Sequence, residues 1–479
     1  MSSATAQHNP HQPRPSDPAR TRAKGQQGWF RAFWRWHFYA SFLVIPVLAV
    51  LAVTGLIYLL RFQIEPALHA DVMTVQPQAG QEQTPYAAQL TAVQKAYPDL
   101  SIASATEPTS PDLASRFSGV MPDGSSRDVF VNPWTGQVLG DLNPDTTLSG
   151  GAIRLHGDLM AGSVGEFVME LGSCWAIVMA VTGYLIFLKG RKARLRRLAA
   201  RAKGSALRNR HGWIGAVTGV GLLLLVVTGL PWTGIWGTQV QNWTAEHGSG
   251  LWSNDPGAQS SPTSTLDESL PHSHKVDVPW GLGKDEVPTS DPTSVADGQS
   301  VANIDTALLV GAREGLRHPM TVAIPEDDGD VFSVIGYAFH DPGHEKTVHV
   351  DQFGGQVVST YGYQDYPKLA QAVSQGIALH EGRRFGLLNF WVSFAFCVGV
   401  LVLCVTGPTM WWRRRPAGSG LGAPRGKLPI RSTWWVALLL AALGVFLPVF
   451  GASLVLVLLV DQLLLRRIPR LRSTFAVTN

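Results

Sequence analysis

Four histidines stand at fixed distances from four Val-Thr-Gly triplets. His37 precedes Val53-Thr54-Gly55 and His211 precedes Val227-Thr228-Gly229, each with 17 residues from His to Thr. His156 precedes Val181-Thr182-Gly183 and His380 precedes Val405-Thr406-Gly407, each with 26. Neutral imidazole is the usual strong axial ligand of haem iron in electron-transfer proteins. Carried on a helix, it is held stiffly, so the iron changes oxidation state with little rearrangement. The pattern predicts two b-type haems: His37 and His211 can face each other across one porphyrin, and His156 and His380 could ligate a second or instead serve a substrate site, so the spacing leaves the pairing open. Gly55, Gly183, Gly229 and Gly407 would let a flat macrocycle or another helix approach the backbone. Arg383 and Arg384, just after His380, could bind a haem propionate or an anionic substrate. No catalytic residue is assigned.

The elements that must position these groups are membrane spans. Only 45% of the 479 residues are hydrophobic, yet they gather in runs of about 20, the length that crosses roughly 30 Å of hydrocarbon. The expected order is a polar, irregular tail (1–28), a first span (29–61), a domain-sized loop (62–165) and a second span (166–188). A basic loop (189–210), a third span (211–237), a second large loop (238–385) and a fourth span (386–412) come next. A short loop (413–432), an apolar stretch (433–465) and a tail (466–479) complete the chain. The apolar stretch is too long for one straight span and is interrupted at Gly444, Pro448 and Gly451. It is expected to form a helical hairpin, with one long tilted span as the alternative. Glycine-flanked strand pairs in the two loops match each other: Val129-Phe130-Val131-Asn132-Pro133-Trp134-Thr135-Gly136-Gln137-Val138 and Val348-His349-Val350-Asp351-Gln352-Phe353-Gly354-Gly355-Gln356-Val357. Each lies upstream of a loop-end histidine, so the unit of span, outer domain and span occurs twice in tandem.

Charge sorts the two sides. Residues 1–36, the 189–210 and 413–431 loops and the C-terminal tail hold 6, 10, 6 and 4 of the 39 Lys and Arg. Of the 35 acids, only Asp17 and Asp461 share that side. The positive-inside rule makes it cytoplasmic, with both termini, and puts the two large loops outside. The basic charge is then a topology signal with membrane-lipid contact, and nucleic acid is not its partner. The polar, basic first 36 residues run straight into a span without a small-residue cleavage pattern, so no cleaved signal is expected. Cys174, Cys397 and Cys404 all lie in apolar runs, which indicates neither a disulfide framework nor a cysteine-held cluster.

Other polar groups carry less. Glu166 and Glu170, one helical turn apart at the outer start of the second span, are a proton or metal contact at membrane depth or simply interfacial. His272 and His274 have ligand-like spacing, but one pair does not complete a transition-metal site. His340, His344 and His349 surround a turn and are read as solvated surface. Trp134 and Trp280 are the aromatic residues noted in the outer loops.

Trp34-Arg35-Trp36-His37, the Val-Thr-Gly-Leu end of the first span, Asn-Pro-Trp-Thr-Gly-Gln-Val at 132–138, Leu155-His156-Gly157-Asp158 and Leu379-His380-Glu381-Gly382 together resemble the PepSY-associated transmembrane proteins over roughly residues 29–470. The resemblance implies a polytopic α-helical protein of the bacterial inner membrane. Four main transmembrane helices would carry two α+β PepSY-like periplasmic domains. It also implies kinship with an iron-regulated group that includes a ferric-siderophore reductase with two b-type haems. The function expected is a di-haem oxidoreductase passing electrons from quinol or a cytoplasmic flavoprotein to ferric iron in a chelate or siderophore outside. The inner loops, at about 20 residues, are too short for a nucleotide-binding fold, so the donor is sought outside the chain. The alternative is a non-catalytic membrane module whose outer domains bind a partner protein or metal chelate.

Overall fold

The computed structural model describes residues 18–78, 80–248, 250, 255, 265–266, 278–280, 282–294, 301–415, 421 and 434–475, with backbone alone for 18–28, 245 and 435. Besides a basic helix at Arg191–Ala199 and short turns, its helices are α1 (Pro18–Leu59), α2 (Arg61–Leu68), α3 (Tyr86–Ala96), α4 (Leu148–Asp158), α5 (Gly162–Lys189), α6 (Ser205–Gly229), α7 (Trp236–Glu246), α8 (Ile304–Arg313), α9 (Lys368–His380), α10 (Leu387–Trp412), α11 (Trp434–Phe446) and α12 (Pro448–Val460). Among the described residues five helical stretches are long and apolar enough to cross a bilayer: 29–59, 162–189, 205–232, 387–412 and 448–465. The chain is a polytopic membrane protein.

The helix bounds depart from expectation in two places. α1 begins at Pro18, so the segment expected as irregular tail continues the first span's helix from there. The third span starts at Ser205 and ends with a tight turn at Leu230–Trp232. Pro231, which has no N–H to continue an α-helical ladder, follows Gly229 there. His156 and His380 sit on helices of their own, α4 and α9, set before the second and fourth spans. Those extra helices account for an interval of 26 residues where 17 suffices elsewhere.

The chain divides into two compact units. The first comprises 1–45, 175–219 and 405–479, and the second comprises 46–174 and 220–404. In the first, α11 and α12 fold back on each other at Leu447, where the backbone leaves helical angles. Their close approach puts Gly444 against Gly451, where even a Cβ would stand 3.1 Å from the facing Cα. This is the hairpin expected from the glycines and Pro448. Its second arm, extended to Leu465, reaches span length, whereas its first does not.

In the second unit the strands of both outer loops join in one antiparallel sheet: β1 (Ser101–Thr106), β2 (Ser115–Val120), β3 (Ser126–Val131), β4 (Val138–Leu142), β5 (Thr321–Ala323), β6 (Val331–Ile335), β7 (Lys346–Asp351) and β8 (Val357–Gly362). The order is β4-β3-β2-β1-β5-β6-β7-β8, so the loops expected as separate domains share one sheet through the β1–β5 pair. Each half repeats the other's irregularities. The β3–β4 pair shifts register at Phe130/Val131, as β7–β8 does at His349/Val350. The turns close through Gly136 and Gly355, at φ of +70° and +69°, a region open to residues without a Cβ. Alternate strand residues face opposite sides. Phe117, Val129, Val131, Val334, Val348 and Val350 meet α3 and α8 in the core, each such burial contributing about 1.5–3 kcal/mol. Arg116, Ser118, Asp128 and Phe130 point the other way, into a cavity.

Candidate functional site

Each of the four histidines binds a threonine from another helix of its own repeat. His37 Nδ1 lies 3.4 Å from Thr182 Oγ1, His156 Nδ1 2.8 Å from Thr54, His211 Nδ1 2.8 Å from Thr406 and His380 Nδ1 3.0 Å from Thr228. The glycine after each threonine borders the same imidazole. A Cβ at Gly183 would stand 3.2 Å from His37 Cε1, and the corresponding distances are 4.0 Å for Gly55 and His156, 3.8 Å for Gly407 and His211, and 3.2 Å for Gly229 and His380. The triplets thus form cradles for imidazoles, where the sequence suggested room for a macrocycle or helix. The duplicated intervals bring each histidine to the threonine at its own end of the hairpin.

At His37, His156 and His380 these contacts fix the tautomer. A hydroxyl carries one hydrogen. Oγ1 of Thr54, Thr182 and Thr228 lies 2.8, 2.7 and 2.8 Å from a carbonyl one turn back on its helix, and that carbonyl takes the hydrogen. The imidazole must then be the donor, through Nδ1–H. For His37 a second contact agrees, because Nδ1 is 2.9 Å from Met179 O, an atom that only accepts. Nε2 is left with a bare lone pair, which is the arrangement that outer-shell partners impose on metal-bound histidines.

The histidines also lie in two pairs. His156 and His380 have ring centroids 6.3 Å apart and planes at 88°. Burial first, and His380 second, hold the His156 imidazole down to about 3, so the ring is neutral at physiological pH. In the other unit His37 and His211 lie close enough for their charges to interact. Among the described residues no three His, Cys, Asp or Glu converge as around a bare ion. Two neighbouring imidazoles instead suit a metal whose remaining ligands would arrive with a macrocycle, and in residue type the donor set fits haem.

Arg383 and Arg384 are engaged by the protein. Arg383 Nε donates to Glu381 and its Nη1 to Phe339 O. Arg384 Nε donates to Gln375, and its Nη2 lies 3.5 Å from Asp341. Glu170 is fully buried, and its Oε2 accepts from Ile235 N and Trp236 N at 3.1 and 3.2 Å, anchoring the start of α7. Glu166 is exposed beside Gly234. His340 and His344 are exposed as expected, but His349 is not solvated surface. It is 3% exposed on β7, with Nδ1 2.8 Å from Ser333 Oγ and Nε2 3.5 Å from Asp255. All three members of this Ser-His-Asp set are buried, so it is a core network closed to substrate. Trp134 bonds Pro111 O through its indole. His272 and His274 lie outside the described residues.

The cavity, which sequence reasoning missed, measures about 460 Å³ between the open sheet face and helices α2, α4 and α9. Its wall includes Arg61, Trp280 and Glu345. Burial above all pushes the Glu345 carboxyl up to about 7, against the pull of Arg383 and Ser374. Between its ordinary value near 4.5 and about 7, the unfolded chain loses a proton that the folded chain keeps. Stability therefore falls as pH rises through that window and stays lower above it. Glu345→Gln is expected to raise stability at pH 8 by about 3 kcal/mol and to flatten the profile between pH 5 and 8. Thermal melts of the purified variant across that range check this, and a lower melting temperature at pH 8 would contradict it.

Among curated proteins no similar sequence is found. A family model does match, over residues 34–414, and takes in all four histidines, all four cradles and the shared sheet. The chain belongs to the family of the PepSY-associated TM region.

Proposed function

We propose that this protein is a bacterial inner-membrane oxidoreductase that carries electrons outward through two haem b groups, held by His37 with His211 and by His156 with His380. Haem iron supplies one-electron chemistry when bound, alternating between Fe(III) and Fe(II). The chain's own contribution is positional. Thr54, Thr182 and Thr228 keep Nδ1 protonated and Nε2 available, Thr406 bonds His211, and four glycines leave room for the rings. The paired helices hold each imidazole against rotation. The observation that carries this reading is the outer pair, two tautomer-locked imidazoles at 6.3 Å.

The basic segments place the tails and short loops in the cytoplasm. There quinol or a flavoprotein donates, and the shared sheet lies in the periplasm with the acceptor. Ferric iron in a siderophore or other chelate is the acceptor the family resemblance favours. Fe(II) binds hard-oxygen chelators more weakly than Fe(III), so reduction releases the metal.

Protein purified from haem-replete cells is expected to be red, with a b-type Soret and alpha band and two haems per chain. Reduced anaerobically and mixed with ferric chelates, it is expected to reoxidise on a stopped-flow timescale. A colourless, well-folded preparation would overturn the assignment and leave the non-catalytic binding module standing.

A further inference from the structure

Arg61 opens α2 immediately beyond the first span and is 8% exposed. Its Nη1 donates to Tyr58 O at 2.7 Å. Its guanidinium carbon lies 3.7 Å from the Tyr58 ring centre, 4.3 Å from Phe62 and 5.8 Å from Phe339. Nε and Nη2 are buried and meet no hydrogen-bond partner among the described residues. The nearby acids are turned elsewhere. Glu65 accepts from Ser149 N through Oε1, and its Oε2, 3.5 Å from His69, is itself buried without a hydrogen-bond partner among the described residues, while Glu381 takes Tyr58 Oη and Arg383. A guanidinium stays charged at every accessible pH, and a buried charge without a partner is strongly unfavourable. Ring faces attract the charge but do not satisfy its N–H groups.

The unsatisfied edge has a specific shape. Nε–H and Nη2–H lie side by side in the guanidinium plane, the fork that grips a carboxylate through two parallel hydrogen bonds. Arg61 lines the 460 Å³ cavity together with Phe62, Tyr337, Phe339 and Trp280, with Nε and Nη2 themselves buried at its wall. The same wall includes Ile153 and Ile377, each one helical turn before His156 and His380.

We infer that Arg61 is the anchor for a carboxylate entering this cavity. Two sources share that chemistry. One is a propionate of the haem at the outer pair, which rests on the function proposed above. The other is a carboxylate on a small molecule in the cavity, which does not. Full-length protein in detergent distinguishes them, with Arg61→Gln removing the charge and Arg61→Lys keeping charge without the fork.

For a small molecule, citrate is expected to raise the wild-type melting temperature and to bind either variant about tenfold more weakly or worse. For a propionate, the wild type is expected to bind haem at least about tenfold tighter than haem dimethyl ester, and both variants to lose that preference. Either result supports the anchor. Should the glutamine variant not fold, the lysine variant decides alone. Citrate binding and ester discrimination that are both absent, or both unchanged in a folded variant, would overturn it. A protein that takes up no haem refutes the proposed function, and the citrate measurement then decides Arg61 by itself.

Discussion

Alanine at both His156 and His380 is expected to remove about half the bound haem and to reduce electron delivery to an external ferric chelate to background. The pair is the only ligand set assigned to the outer haem, and each imidazole is tied to one threonine, Thr54 or Thr228. Losing those two hydrogen bonds costs about 1 kcal/mol each, too little to unfold a protein of this size. The inner pair belongs to the other unit, with its own threonines. It is expected to keep its haem and to remain reducible by the donor. The reciprocal double variant at His37 and His211 is expected to keep the outer haem but to leave it oxidised when the donor is supplied. Haem-to-protein ratio, low-temperature alpha bands and single-turnover reduction separate these outcomes. Two haems retained in the His156/His380 variant would remove those residues from the ligand set.

The spans were legible because a bilayer imposes a length and an apolar composition that few soluble segments share. The break in the last apolar stretch was legible too, since Gly444, Pro448 and Gly451 fall within one short window. The joining of two loops into one sheet was not. It depends on β5, three residues long, pairing with β1 across more than two hundred residues of chain. No local pattern announces so short a strand.

At the site, the spacing identified the histidines and triplets but not which met which. Reading Thr-Gly as a packing motif passed over the hydroxyl, whose back-bond to its own helix settles the proton on Nδ1. Arg61 left a signal that went unused. It is a permanent cation directly after the apolar run of the first span, on the side to which the charge count assigns only 13 of the 39 Lys and Arg. His349 misled because a turn follows it at once. It sits opposite Ser333 in the ladder, on the face away from α3 and α8, and is buried all the same.

Thr54→Val with Thr228→Val is expected to weaken outer haem binding by about 10–100-fold, the usual effect of deleting an outer-shell partner of a metal-bound histidine. Valine keeps the shape of threonine, so the helices and the Gly55 and Gly229 cradles persist. His156 loses the acceptor for its Nδ1–H, while His380 loses one of two and keeps the Leu225 carbonyl. Two consequences follow, led by His156. Its imidazole becomes free to take the other tautomer, which puts the proton on Nε2 and blocks ligation in a fraction of molecules. In the molecules that still ligate, the more weakly held Nδ1–H makes the ring a weaker donor, and Fe(III) loses more stabilisation than Fe(II). The outer haem's midpoint potential is therefore expected to rise while its occupancy falls. Serine at the same two positions restores the hydroxyl and is expected to restore both. Potentiometric titration with haem quantification reads the two effects together. A potential that falls, or a serine variant that behaves like valine, would show that these threonines act by packing and not through the proton they hold in place.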